Sequence, residues 1–186
     1  MQKIDKFYLN ATHMLIEPGP VVLVTTSYQG QSNIMTLSFL TMLQQNHPFL
    51  LGFVMGPWDY SYKTLRKTGE CVISIPTVDM ASIVVEIGNC SGDDTNKFKT
   101  FNLTPLPAKK VEAPLIAECL ANIECRVIDT SMVDKYGFFI LKSVNVWTDA
   151  DRKERRMLHH NGDGTFIVDG QTINLKDKMV KWPEYL

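Results

Sequence analysis

The stretch from Pro20 to Gly69 constrains the fold more than any other part of the chain. A β-branched run, PVVLVTTS over residues 20–27, leads into the turn Tyr28-Gln29-Gly30-Gln31 and a return strand over Ser32 to Phe39, which is the pattern of a β-hairpin. Leu50 to Met55 is a further strand, bounded by Pro48 and by Gly56-Pro57. Residues 59–68 then read as a helix, with Asp59 at the N-cap, Lys63, Arg66 and Lys67 towards its end and Gly69 terminating it. A chain that makes a hairpin and another strand before its first firm helix does not have the βαβ rhythm of a parallel sheet.

The remaining segments agree. Residues 4–16 are a weak helical or irregular lead-in with apolar Ile4, Phe7, Tyr8, Leu15 and Ile16, stopped by Pro18-Gly19-Pro20. Cys71 to Ile75 is a strand closed by Pro76. Asp79 to Gly88 is an amphipathic helix with Asp79 as its cap, and Gly92 to Asn102 is a candidate second short helix. Residues 103–114 carry Pro105, Pro107 and Pro114 and read as a loop or edge passage. Two long strands are expected over Leu115 to Thr130 and Tyr136 to Thr148, followed by a charged, exposed segment from Asp149 to Arg156. A terminal hairpin is expected, with a turn at Gly162-Asp163-Gly164, a strand over 165–168, a turn at Asp169-Gly170 and a strand over 171–175. About seven to nine hairpin-linked strands and two or three short helices, without internal repeats, predict an antiparallel barrel with helical insertions. The 186 residues suit one domain over 1–186.

Composition narrows the partners. The net charge of −1 supplies no basic field for a nucleic-acid backbone and no reason to sit on an anionic membrane. No apolar run approaches the roughly 18–20 residues that span a bilayer, and the N-terminus lacks a signal-peptide core, so a cytoplasmic location is expected. Cys71, Cys90, Cys119 and Cys125 form no C-x-x-C pair and no zinc spacing. They read as buried, reduced thiols, and no metal site is expected.

The usual catalytic motifs are missing: no G-x-G-x-x-G after a strand, no G-x-S-x-G, no H-E-x-x-H and no Walker loop. The return strand offers short polar side chains at Asn33, Thr36 and Ser38, suited to the edge of a flat ring, or simply a half-polar barrel strand. In the helix, Ser61 and Thr64 share a face in the first turn, where free N–H groups and the helix dipole favour a phosphate; an ordinary surface helix is the alternative. Lys97 offers a cation to that phosphate, although by itself it reads as a solvated lysine. His159 and His160 precede the GDGTF turn as ligand contacts, proton donors or plain surface histidines. Trp58, Trp147 and Trp182 read as packing residues, with Trp58 bordering the helix.

The order of these pieces carries a resemblance. PVVLVTT, G-x-x-N-x-M-T-x-S from Gly30, S-x-x-T-L-R-K-T-G-E-C-V-I-S-I-P from Ser61, G-x-x-S-G-x-D-x-x-K-F from Gly88, APLIAECLANIECRV from Ala113 and H-x-x-GDGTF up to Phe166 together resemble the flavin reductase-like family, including its flavoredoxin group. The resemblance implies an antiparallel Greek-key split β-barrel that binds FMN, usually as a homodimer with the cofactor near the subunit interface. It implies two-electron chemistry: flavin reduction by NADH or NADPH, or electron transfer through bound FMN to a redox protein. It places Asn33, Met35, Thr36, Leu37 and Ser38 beside the isoalloxazine, Ser61 and Thr64 at the phosphate with Lys97, and His160 near the ring or the nicotinamide path as a proton donor. The family's D-K-F triplet is here Asn96-Lys97-Phe98. Since such chemistry belongs to the cofactor, no side-chain nucleophile is required. A flavin carrier without turnover and a barrel without cofactor are the other readings.

Overall fold

The computed structural model describes residues 9, 13–16 and 19–176. After a short helix α1 (His13–Ile16), the chain makes β1 (Val22–Tyr28), β2 (Gln31–Leu37), β3 (Leu40–Gln44) and β4 (Leu50–Val54), then α2 (Tyr60–Thr68) and β5 (Glu70–Ile75). Next come α3 (Ala81–Gly88), α4 (Lys97–Thr100), β6 (Pro105–Leu106), β7 (Leu115–Ile116), β8 (Ala121–Asp129), α5 (Val133–Tyr136), β9 (Phe138–Thr148), β10 (Leu158–His160) and β11 (Phe166–Val168). Seven strands form one antiparallel sheet in the order β2-β1-β5-β8-β9-β4-β3.

Leu37 of β2 and Leu51 and Phe53 of β4 come from near opposite edges of that sheet, yet they share one buried core with Val22, Ile73, Cys125 and Phe139. The sheet is therefore rolled, as the expected antiparallel barrel requires. Side chains alternate along β1: Val22 and Val24 point into this core, while Leu23 joins a second one made with Ile34, Met80, Val84, Ile87, Phe98 and Leu158. Helices α3 and α4 and strand β10 thus cover the outer face of the β1–β2 hairpin. The hairpin closes through a two-residue turn with Gln29 at φ 51° and Gly30 at φ 77°, both in the left-handed region that suits the strand twist. Gly69, also left-handed, ends α2 and donates its N–H to the Leu65 carbonyl at 2.9 Å.

Several boundaries differ from the sequence reading, each for a traceable reason. The expected strand over 115–130 breaks after Ile116. The Asn122 amide takes both backbone groups of Ile116 at 2.9 and 3.1 Å, so β7 leaves to pair with β6. The expected terminal hairpin forms one step earlier: Phe166–Val168 pairs back with Leu158–His160, and residues 171–175 form no strand. Asp169 does not open a turn, because its carboxylate accepts from Met157 N at 3.0 Å and meets His159 Nε2 at 2.9 Å, tying the end of β11 to β10. The helix expected over 92–102 shrinks to α4, capped by Asn96 accepting from Lys99 N at 3.1 Å. Asp79 does not cap α3; it lies in a 3₁₀ turn, Val78–Met80, with both carboxylate oxygens 2.9 Å from Arg152. β9 begins at Phe138, because 133–136 are helical. β3 gave no alternating pattern to read, since Thr41 to Gln44 are exposed and only pairing with β4 defines it. Leu15 and Ile16 lie in α1 and are exposed; Ile4, Phe7, Tyr8, Pro18 and Trp182 lie outside the described residues.

Candidate functional site

β2 is an edge strand of the sheet, with β1 on one side and α3, α4 and the 88–97 loop against it. That arrangement leaves a trough beside β2, made of three successive clefts. The first, about 500 Å3, is polar and is lined by Tyr28, Ser32, Asn33, Tyr60, Thr64 and residues 92–96. The middle one, about 240 Å3, shares Asn33, Tyr60 and Gly92 with the first and adds Met35, Thr36, Trp58, Cys90 and Lys97. The third, about 420 Å3, shares Thr36, Gly88 and Asn89 with the middle one and is largely apolar, with Leu37, Ser38, Val84, His160 and Phe166 in its walls.

Asn33 sits at the junction of the first two clefts and is 94% buried by its 6% exposure. Its Nδ2 donates to Ser61 Oγ at 2.9 Å, and its Oδ1 has no hydrogen-bond partner among the described residues. Turning the amide over would only exchange the two atoms, so either orientation leaves one polar atom waiting for a partner. Ser61 lies beneath, fully buried, and also accepts from Thr26 Oγ1 at 3.3 Å. Ser61 therefore lines none of the three clefts and fixes Asn33 instead, while Thr64, one turn further along α2, does line the polar cleft.

Asp59 occupies the N-cap position of α2, but its carboxylate turns back to accept from Gly56 N at 2.8 Å. Thr36 donates to the Val84 carbonyl at 2.6 Å, pinning β2 to α3. Met35 enters the middle cleft, and Leu37 and Ser38 the apolar one.

Lys97 is not the solvated lysine that its sequence context suggests. It is buried, and its Nζ donates to the Ile87 carbonyl at 2.9 Å near the C-terminal end of α3. Burial pulls its pKa below the ordinary lysine value, partly opposed by Cys90 and Asp94. The fold groups Lys97 with Asn33, Met35 and Thr36; it shares no cleft with Thr64. His160 stands at the other end of the trough, its ring 4.9 Å from that of Phe166. Its Nε2 accepts from Gly164 N at 3.3 Å, so in the neutral ring the proton resides on Nδ1.

Sequence reasoning missed two features of the trough. Trp58 is 84% exposed at the middle cleft rather than packed in a core. Asp93 and Asp94 line the polar cleft, where among the described residues no lysine or arginine is in the lining. The glycine-bearing loop IGNCSGDD was the available signal for both the cleft and its acidity. Of the other buried ionisable groups, Glu124 belongs to the fold: Trp147 Nε1, Asn145 Nδ2 and the Lys109 and Lys110 N–H groups all donate to it. Trp147 accordingly serves the fold as a donor as well as a packing residue. The four cysteines are free, with Cys71, Cys119 and Cys125 buried. Among the described residues no group of His, Cys, Asp and Glu gathers as a metal site, and no helix is long and apolar enough to cross a membrane.

A family profile described as a flavin reductase like domain matches residues 14–166. An uncharacterized protein of Pyrococcus abyssi is 33% identical over 130 residues, 70% of this chain and 74% of its own length. Uncharacterized protein YddH of Escherichia coli is 28% identical over 188 residues, covering 93% of this chain and 98% of its own. Among solved structures, an FMN-binding domain of a flavin reductases-like enzyme from Shewanella baltica superimposes with a TM-score of 0.77 at 25% identity, covering 92% of this chain and 97% of that one. Flavoredoxin of Desulfovibrio vulgaris superimposes with a TM-score of 0.80 at 22% identity, over 94% of this chain and 96% of that one, a likeness of fold.

Proposed function

This chain belongs to the flavin reductase-like domain family and has its split-barrel fold, and from that premise we propose that it holds FMN in the trough along β2 as a two-electron oxidoreductase. The observation that carries the reading is the unpartnered amide atom of Asn33 at the junction of the polar and middle clefts. A buried amide costs about 1–3 kcal/mol when half-satisfied, and a ligand donor or acceptor removes that cost. Gly92 packs close against this junction with no room for a side chain, since a Cβ there would lie 2.5 Å from Asn33 Oδ1 and 2.4 Å from the Tyr60 ring.

The residues present fit the group. Lys97 is a buried ammonium whose hydrogen bond goes to a backbone carbonyl, so an anionic ligand would complete it. Thr64 and Tyr60 offer hydroxyls at the start of α2 for the phosphate, Met35 and Thr36 offer an apolar and polar mix for the ring, and Leu37, Ser38 and His160 line its continuation. Ser61 acts through Asn33 by holding it in place. Bound FMN supplies two-electron redox chemistry, and the protein's part is to orient it, exclude water and present donors to it. Either NADH or NADPH supplies the electrons, or a redox protein exchanges them through the bound cofactor.

The proposal includes a single domain, a cytoplasmic location and a homodimer. Phe39, Met42, Leu43 and Phe49, all on or beside edge strand β3 and all exposed, support the dimer as an apolar surface for a second copy.

Purified protein is expected to be yellow or to turn yellow on adding FMN. A colourless protein that binds no added FMN rules the proposal out. Anaerobic titration with NADH and then NADPH separates the routes: rapid bleaching with turnover supports the reductase, and tight FMN with negligible turnover supports the carrier.

A further inference from the structure

The turn that enters α2 carries Trp58 to the middle cleft and leaves it in water. Nothing in the barrel asks for this exposure, since a buried indole would contribute stability that an exposed one does not. The backbone that carries it is nevertheless fixed. Gly56 N–H donates to the Asp59 carboxylate at 2.8 Å, and Asp59 N–H donates back to the Gly56 carbonyl at 3.0 Å, closing the turn in both directions around Pro57. A Cβ on Gly56 would lie 2.2 Å from Cε2 and Cζ2 of the indole and 2.6 Å from Cη2. The six-membered ring of Trp58 thus rests over bare glycine backbone, and a side chain at 56 would push the exposed indole out of this position. The cleft it borders also holds Met35, the buried ammonium of Lys97 and the junction with the unpartnered Asn33 atom.

We propose that Trp58 is a stacking face for the flat ring of FMN in the middle cleft, an assignment that rests on the FMN reading above. A rigid aromatic held on a closed turn loses little freedom when a planar ligand meets it, so stacking there adds to affinity directly. The other polar and charged groups of the cleft address the edges and the phosphate of the ligand; Trp58 addresses its face.

The test is a fluorescence titration of the full chain with FMN, following tryptophan and flavin emission together, on the wild type and on Trp58→Phe, Trp58→Ala and Gly56→Ala. The wild type is expected to lose tryptophan emission and to quench flavin emission as FMN binds. Trp58→Phe should keep the affinity within about threefold, and Trp58→Ala should weaken it roughly tenfold. Gly56→Ala, which displaces the indole without removing it, should weaken binding in the same direction. The thermal midpoint of Trp58→Ala should match the wild type, since the side chain is 84% exposed. FMN binding to Trp58→Ala with unchanged affinity and unchanged flavin quenching overturns this inference and leaves the FMN reading standing. A wild type that binds no FMN overturns both. Trp58 emission that responds to protein concentration but not to FMN assigns the indole to a second copy of the chain and overturns the stacking role.

Discussion

Glu124 and Asn33 are both buried polar side chains on barrel strands, and the fold treats them in opposite ways. Glu124, fully buried on β8, accepts from Trp147, Asn145 and the backbone N–H groups of Lys109 and Lys110, which fastens the 103–114 passage to the sheet. Burial alone would raise its pKa, but those four donors outweigh it and hold the carboxyl below the usual range. Asn33, on β2, is given one partner and denied another. A polar group that the chain satisfies completely is part of the scaffold; one left half-satisfied at the meeting of two clefts is poised for something from outside.

Substitutions can break this contrast. The largest effect is expected for Glu124→Ala, which strands four donors and should cost about 3–4 kcal/mol in urea unfolding while FMN affinity per folded molecule stays unchanged. The same carboxylate predicts a pH dependence. Because its folded pKa is depressed below the ordinary glutamate value, its stabilisation is present above the unfolded pKa and is lost as pH falls through the folded pKa. Glu124→Gln should flatten that acid limb in pH-dependent thermal unfolding.

Asn33→Ala should invert the pattern, weakening FMN binding by about 1.5–3 kcal/mol with less than about 1 kcal/mol lost in unfolding, read by titration and by urea on the same sample. Equal losses in both measurements would make Asn33 a scaffold residue like Glu124 and erase the comparison. Lys97→Met comes next: weaker FMN by about 1–2 kcal/mol, with unfolding stability unchanged or raised by up to about 1 kcal/mol. The depressed pKa of Lys97 gives a second readout. The folded state binds that proton less tightly than the unfolded chain, so stability rises as pH passes the folded pKa towards 10.5, and Lys97→Met should lack this rise. Thr64→Val is expected to have the smallest effect, a loss of about 1 kcal/mol in FMN affinity without change in the thermal midpoint.

The parts of the chain that were legible beforehand share one property: their conformation is set locally. The β1–β2 hairpin follows from a β-branched run and a Gln-Gly turn, and the end of α2 from Gly69. Thr36, Leu37 and Ser38 could be placed beside one another because a strand spaces its side chains regularly. What could not be read depended on partners distant in sequence. The pairing of β11 was decided by the Asp169 carboxylate reaching back to Met157 and His159, against a second turn signal of equal strength at Asp169-Gly170. The break at Ile116 was decided by one amide, that of Asn122.

The same division runs through the site. The sequence by itself determined which residue types lie along β2, that Ser61 and Thr64 follow on one helix face, and that a lysine and a glycine-bearing loop come later. Tertiary structure alone decided that Ser61 is buried beneath Asn33 while Thr64 meets the cleft, that Lys97 is a buried cation, and that Trp58 stands in water beside it. The physical reason is that side-chain type and backbone preference belong to single residues and their neighbours. Burial and hydrogen-bond satisfaction are properties of the three-dimensional neighbourhood, and Asn33 meets its one partner only because the barrel brings α2 against β2, 28 residues away along the chain.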